Sequence, residues 1–162
     1  MLGIGKNADA SNILDALSKS QAVIEFDLNG NILTANENFC EALGYSLSEI
    51  KGRHHRIFCD SEYANSSEYS RFWEELNSGK FMSIEFKRVK KDGSTIWIEA
   101  TYNPIFKGLK PYKVVKFATD ITAKKLKSVE DRNILEAISR SQAVIEFTPQ
   151  GDILRRLRLP II

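Results

Sequence analysis

The sequence predicts an α+β domain built on an antiparallel sheet, and three observations carry that expectation. Five runs rich in β-branched and aromatic residues stand in the order two strands, a helical crossover, three strands. Between the second and third runs the apolar spacing changes from two residues to three or four, which marks helices. The longest run, Thr95 to Ile105, follows the turn Lys91-Asp92-Gly93-Ser94 and is stopped by Pro104. Its alternation puts Ile96, Ile98, Ala100 and Tyr102 on a core face and Trp97, Glu99 and Thr101 on the other, so it reads as a central strand.

Taken in order, Ser11 is placed to cap a helix that runs to about Ser20, with Ile13, Leu14 and Leu17 on one stripe. Ala22 to Phe26 reads as a strand, Asp27-Leu28-Asn29-Gly30 as a tight turn, and Asn31 to Ala35 as the return strand. Phe39, Cys40, Leu43 and Tyr45 then fit a short helix ended by Gly44. Ser46-Leu47-Ser48-Glu49 starts another, with Ser46 as cap and Glu49 reaching back. A polar loop is expected up to Ser66. An amphipathic helix from about Ser67 to Asn77 follows, with Tyr69, Phe72, Trp73 and Leu76 on its core face. Strands over about Phe81–Lys90 and Tyr112–Ile121 flank the long run. The periodicities converge on Ile24, Phe26, Phe39, Leu43, Phe86, Ile98, Ala100 and Tyr102 as the core.

An internal repeat sets the domain organisation. Asn12-Ile13-Leu14-Asp15-Ala16-Leu17 through Phe26 returns as Asn133-Ile134-Leu135-Glu136-Ala137-Ile138 through Phe147, and Gly30-Asn31-Ile32-Leu33 returns in the same register as Gly151-Asp152-Ile153-Leu154. The expected organisation is a flexible N-terminus over 1–10, one module over 11–122, a helical connector over 123–140, and the start of a truncated second copy over 141–154. Residues 155–162 break the copy and read as a non-native tail. They are too short, with Pro160 near the end, to make a membrane-surface helix.

With 23 Lys+Arg against 21 Asp+Glu the charge is nearly balanced, so electrostatics nominates no nucleic-acid partner. No run approaches the roughly 20 apolar residues of a membrane span, and Met1 to Asp9 lacks the apolar stretch of a signal peptide. The expectation is a cytosolic location without membrane contact. Cys40 and Cys59 lack any metal-ligand spacing and read as free thiols. No GxSxG, HExxH, Walker loop or Cys/His zinc cluster appears, and Glu25, Glu85 and Glu99 fit a solvated sheet face, so an enzyme is not expected.

The motif order is more specific. Asn36-Glu37-Asn38-Phe39, Leu43-Gly44-Tyr45-Ser46, Glu49-Ile50-Lys51-Gly52, Lys91-Asp92-Gly93 and Asp120-Ile121-Thr122 resemble a PAS domain. With His54-His55, Phe58-Cys59, Phe72-Trp73, Trp97-Ile98-Glu99-Ala100 and Tyr102-Asn103-Pro104-Ile105, the pattern is similar to the tandem PAS modules of bacterial methyl-accepting chemotaxis proteins, over about residues 11–127. The resemblance implies a five-stranded antiparallel sheet with short helices closing one face, an inner face that holds a small ligand or cofactor, and flanking helices that pass a signal to a downstream domain. It implies a sensory module for a small ligand, oxygen or redox state. A ligand-free dimerisation and relay module is the alternative.

Which ligand is bound is left unknown by the sequence, with haem b as first candidate and FAD second. His55 stands where light-sensing LOV members carry their flavin-reactive cysteine, and Cys59 is a helical turn away, which counts against photochemistry. If haem is bound, His54 or His55 supplies the axial nitrogen; adjacent helical residues point about 100° apart, so only one of them is expected to face the pocket. Ile98, Ala100, Tyr102 and Ala118 are assigned to the cavity wall. Strand parity carried over from the LOV resemblance turns Arg88 and Lys116 toward the same side, with Ile84, Phe86 and Val114. There they need a carboxylate, an anionic ligand or water; the simplest reading lets the stems cover apolar surface while the charges reach solvent. The opening helix and the exit segment carry apolar stripes too narrow to stand alone, so a homodimer through the opening helix and the outer sheet face is expected.

Overall fold

The computed structural model describes residues 4–141 and 145–156. The chain divides into two compact units, Met1–Thr122 and Ala123–Ile162. In the first, α1 (Ile4–Ser20) leads into the hairpin β1 (Ala22–Phe26) and β2 (Ile32–Ala35). The crossover contains α2 (Glu37–Leu43), α3 (Leu47–Ile50), a 3₁₀ turn (His55–Phe58), α4 (Ser61–Ala64) and α5 (Ser67–Asn77). The chain returns through β3 (Met82–Val89), β4 (Thr95–Lys107) and β5 (Lys110–Asp120) to α6 (Thr122–Ser141). The sheet order is β2-β1-β5-β4-β3, with every neighbouring pair antiparallel.

The order puts β5 in the middle and β4 beside it, between β5 and β3. Ile96, Ile98, Ala100 and Tyr102 are all buried, whereas Trp97 and Thr101 are half-buried and Glu99 is exposed. These four residues, with Ile24, Phe26 and Val114 from the other strands, meet Phe39, Leu43, Phe58, Phe72, Trp73 and Leu76 from the crossover. The core thus lies on one face of the sheet, under the short helices.

Several expected boundaries differ, each for a local reason. The helix α1 begins at Ile4, so Ser11 lies inside it rather than capping it, and residues 4–10 are helical. The stretch expected as a polar loop contains α4, whose N-cap Asp60 accepts a bond from the Tyr63 amide. Pro104 does not stop β4. Strand β3 begins at Met82, opposite Tyr102, so beyond that point β4 has no neighbour on that side and the missing N–H costs no ladder bond. Phe86 is half-buried and Ile84 is 42% exposed because β3 is the edge strand and the helices cover only part of it. The capping box at Ser46 and the αL end at Gly44 (φ 75°) appear as expected.

In the second unit, the hairpin β6 (Ile145–Phe147) and β7 (Ile153–Arg156) pairs Ile145 with Arg156, Glu146 with Arg155 and Phe147 with Ile153. This is the register of the first hairpin, Ile24 with Ala35, Glu25 with Thr34 and Phe26 with Ile32, with the irregularity at the same step. Arg155 and Arg156 therefore take strand positions, although the sequence copy stops at Leu154. Residues 157–162 of the expected tail lie outside the described residues.

Candidate functional site

The inner face of the sheet carries a buried polar cluster centred on His55. This residue opens the 3₁₀ turn and is fully buried. Its Nδ1 lies 3.0 Å from the Tyr69 hydroxyl and its Nε2 lies 3.0 Å from the Tyr102 hydroxyl, tying the turn to α5 on one side and β4 on the other. In a neutral ring one nitrogen donates and the other accepts, and the tyrosines can serve either role. Burial, reinforced by Lys116 and Arg88, holds the imidazole well below its ordinary pKa, so it is neutral near pH 7. Burial also pushes the Tyr102 phenol up to about 12.

His54 converges on the same ring set. It is the cap of the 3₁₀ turn rather than a helical residue, with extended backbone (φ −81°, ψ 144°), so the helical spacing argument does not apply to it. Its Nδ1 accepts the Arg56 amide at 3.2 Å and lies 3.3 Å from the Tyr69 hydroxyl. A Cβ at Gly30, which sits at φ +79°, would meet His54 Nε2 and Trp73 at 2.9 Å. Only glycine lets the β1–β2 turn approach these rings so closely.

Arg88 and Lys116 correct the expectation that their charges reach water: they are 3% and 1% exposed. Arg88 Nη1 donates to the Lys87 carbonyl, while Nε and Nη2 make no hydrogen bond of normal geometry among the described residues. The guanidinium lies over Phe86 at 4.1 Å from the ring centroid. The Lys116 ammonium lies 4.9 Å from the Tyr102 ring centroid and 5.7 Å from that of Phe39. Burial, then the nearby Arg88, pushes its pKa well below the ordinary lysine value. Cys59 Sγ stands 3.9 Å from His55 Nδ1, and burial raises its thiol pKa, so it is not an activated thiolate. Glu25, expected on a solvated face, is half-buried and pairs with Lys113 at 2.7 Å.

All eight assigned residues, His54, His55, Arg88, Ile98, Ala100, Tyr102, Lys116 and Ala118, lie in or beside this inner-face core, His54 at its half-buried edge. The sequence missed Tyr69 as the second partner of His55; it was assigned to core packing because its helical spacing matches that of Phe72 and Trp73. Also missed was the clamp at the N-terminal helix. Asn36 Oδ1 accepts the amides of Val23 and Phe39, while its Nδ2 donates to the carbonyls of Ser18 and Gln21. Asn38 adds bonds to the carbonyls of Ser18, Lys19 and Gln21. At the other end, the Trp97 amide donates to Thr122 Oγ1 and the Thr122 amide to Asp120 Oδ1, fixing the start of α6 to β4 and β5.

A five-stranded antiparallel sheet with one face closed by short helices around a buried polar cluster defines an α+β domain of the PAS type. The chain belongs to the PAS fold family, whose pattern its residues 32–118 match. It is 48% identical over 140 residues to the biofilm dispersion protein BdlA of Pseudomonas aeruginosa, covering 86% of this chain and 34% of that protein. It is 26% identical over 104 residues to the aerotaxis receptor of Escherichia coli, covering 64% of this chain and 20% of that receptor. The chain therefore spans about a third or less of these relatives. Among solved structures, a light-oxygen-voltage domain studied with a flavin analogue matches with TM-score 0.61 and 21% identity, over 77% of this chain and 96% of that one.

Proposed function

We propose that the chain is a sensory PAS module of a chemotaxis receptor-like signalling protein, with its receptor on the inner face and its output in the flanking helices. The observation that supports this most directly is the His55 bridge. A buried imidazole bonded to both Tyr69 and Tyr102 couples the helical cover to the sheet, so a ligand that displaces either hydroxyl shifts one against the other. Strand β4, which carries Tyr102, is bonded through Trp97 to the first residue of α6, giving a route from receptor to exit helix.

Of the two cofactors, haem b does not fit the donor set. Both nitrogens of His55 are engaged, and those of His54 face the Arg56 amide and the Gly30 turn. The inner-face aromatic rings suit a flavin better, and the light-oxygen-voltage neighbour was studied with a flavin analogue; FAD is therefore the cofactor this reading carries. Close ring packing, with Phe72 and Tyr102 centroids 4.9 Å apart, favours the second reading, a ligand-free relay module. An absorption spectrum of protein purified without added cofactor separates these readings. A vibronic blue band supports flavin, a violet band would restore haem, and a colourless protein with no small-molecule response leaves the relay reading.

The proposed partner is a second copy, docked through α1 and the outer sheet face. Ile13 and Leu17 of α1 are 54% and 38% exposed, and Leu17 borders a cleft lined by Thr101, Phe117 and Thr119 of that face. Sedimentation of the intact chain beside a deletion of residues 1–19 tests this: a dimer lost on deletion supports it, and monomers in both exclude it.

A further inference from the structure

Among the described residues, two basic side chains occupy the core of the first unit without a carboxylate to balance them. Lys116 enters from β5, opposite Ile24 and Tyr102, and Arg88 enters from β3, opposite Ile96. They meet at Tyr102, whose ring lies under the ammonium and whose hydroxyl faces the guanidinium. The groups around them are neutral: Tyr63 and Phe86 against Arg88, Phe39 against Lys116, and Cys59 and His55 between the helical turn and the sheet. Glu25, Glu49 and Glu75 are each paired with a cation other than these two. A buried unpaired charge is among the most costly features a core can hold, and among the described residues Arg88 Nε and Nη2 are buried without a hydrogen bond of normal geometry, the Tyr102 hydroxyl being the nearest acceptor.

We propose that the inner face is a receptor for a small carboxylate, gripped by the free fork of Arg88 and by Lys116, with its hydrocarbon part against Phe86 and Tyr102. The inference rests on the ligand-sensing reading above and names the ligand class. A guanidinium with Nε and Nη2 free presents the two parallel donors that a carboxylate accepts. The aromatic lining suits a hydrocarbon body, and the closeness of the rings limits its size. Tyr63 and Phe86 also line a surface cleft bounded by Phe72 and Met82, so the two side chains that pack on Arg88 are the ones standing between it and solvent. Glu68, Glu75 and Glu85 border that cleft with Arg71, which pairs with Glu75, so the rim is net acidic and the attraction for an anion comes from the interior basic groups.

The test uses the full 162-residue chain, with acetate, succinate and benzoate titrated at matched ionic strength against chloride, and with riboflavin and riboflavin 5′-phosphate in parallel. Thermal unfolding and calorimetry are the readouts. At least one carboxylate is expected to raise the unfolding midpoint by several degrees, and Arg88→Gln and Lys116→Met are each expected to weaken its binding at least tenfold. Lys116→Met removes a buried amine at nearly constant volume, so without ligand it is expected to melt no lower than the parent, which keeps the comparison free of misfolding. No response to any of the three carboxylates, or a response that both variants retain, overturns the proposal. A tenfold preference for riboflavin 5′-phosphate over riboflavin that both variants abolish, without a carboxylate response, also overturns it and assigns the cations to a cofactor's anionic tail. Equal binding of the two flavins removes the anion site while leaving the inner face as a ligand site.

Discussion

Tyr102→Phe isolates the hydroxyl that joins the sheet to His55. The ring stays, so the area removed from water is unchanged and the packing against Phe72, Phe86 and Phe26 is retained. What is lost is the partner of His55 Nε2, at 3.0 Å, together with the hydroxyl that faces Arg88, in a fully buried setting. Leaving such a group unsatisfied costs about 1–3 kcal/mol. For a domain of this size that lowers the unfolding midpoint by roughly 2–8 °C for each kcal/mol. Tyr69→Phe is the internal control. His55 Nδ1 keeps Cys59 Sγ at 3.9 Å as a weak alternative, so its cost is expected to be smaller. The assay is urea unfolding of both variants, repeated in a His55→Leu background. If the bridge is real, Tyr102→Phe is much less damaging once His55 is gone, with a coupling of about 1 kcal/mol or more. A loss under 0.5 kcal/mol in the parent, or the same loss in both backgrounds, would refute the reasoning.

Gly30→Ala combines a positive φ with a Cβ that meets His54 and Trp73 at 2.9 Å, and is expected to cost about 2 kcal/mol or more by urea unfolding. Asn36→Ala removes an N-cap and the clamp on α1; the cap alone is worth about 0.5–2 kcal/mol, and hydrogen exchange at Ser18–Gln21 is expected to quicken. Ile98→Asp buries a carboxylate on the core face at a cost of several kcal/mol and is expected to prevent folding; a soluble variant with unchanged melting would remove the core assignment. His55 also sets a pH dependence. Its folded pKa lies well below the unfolded value of about 6.5, so as pH falls below 6.5 the unfolded chain takes up a proton that the native ring refuses, and stability drops by up to about 1.4 kcal/mol per pH unit. Glu49, held at about 2, titrates lower, and the buried Lys116 also refuses a proton in the native state, so a loss of stability between pH 6.5 and 5 that persists in a His55→Gln, His54→Gln, Lys116→Met triple variant would contradict this.

The alternation of β4 was legible because each second residue is apolar and one face is buried; a shift by one residue would have exposed Ile96, Ile98 and Tyr102 together. Caps and turns with a local chemistry, such as Ser46 with Glu49 or Gly44, could also be read from short strings. Burial of Arg88 and Lys116 could not, because their sequence neighbours are ordinary strand residues and the rings that seal them come from β3, β4 and two crossover helices. Strand parity gave the side they face but not the depth at which they end. The histidine pair differs from expectation in its backbone: one helix was expected through both residues, and the helical turn starts between them. Tyr69 was read by its ring alone, and its hydroxyl became informative only once His55 stood 3.0 Å away.

The amide of Asn36 makes four hydrogen bonds, two accepted and two donated, which is the full capacity of the group. Aspartate would bring the same acceptor but would set a negative oxygen against the carbonyls of Ser18 and Gln21. Glutamine would move the amide by a methylene, and serine would fall short of the far contacts. One position thus decides together where α1 stops, how β1 enters the sheet and where α2 begins. Shape and charge at Asn36 leave a vocabulary of one residue, so a change there alters three elements at once instead of adjusting any of them separately.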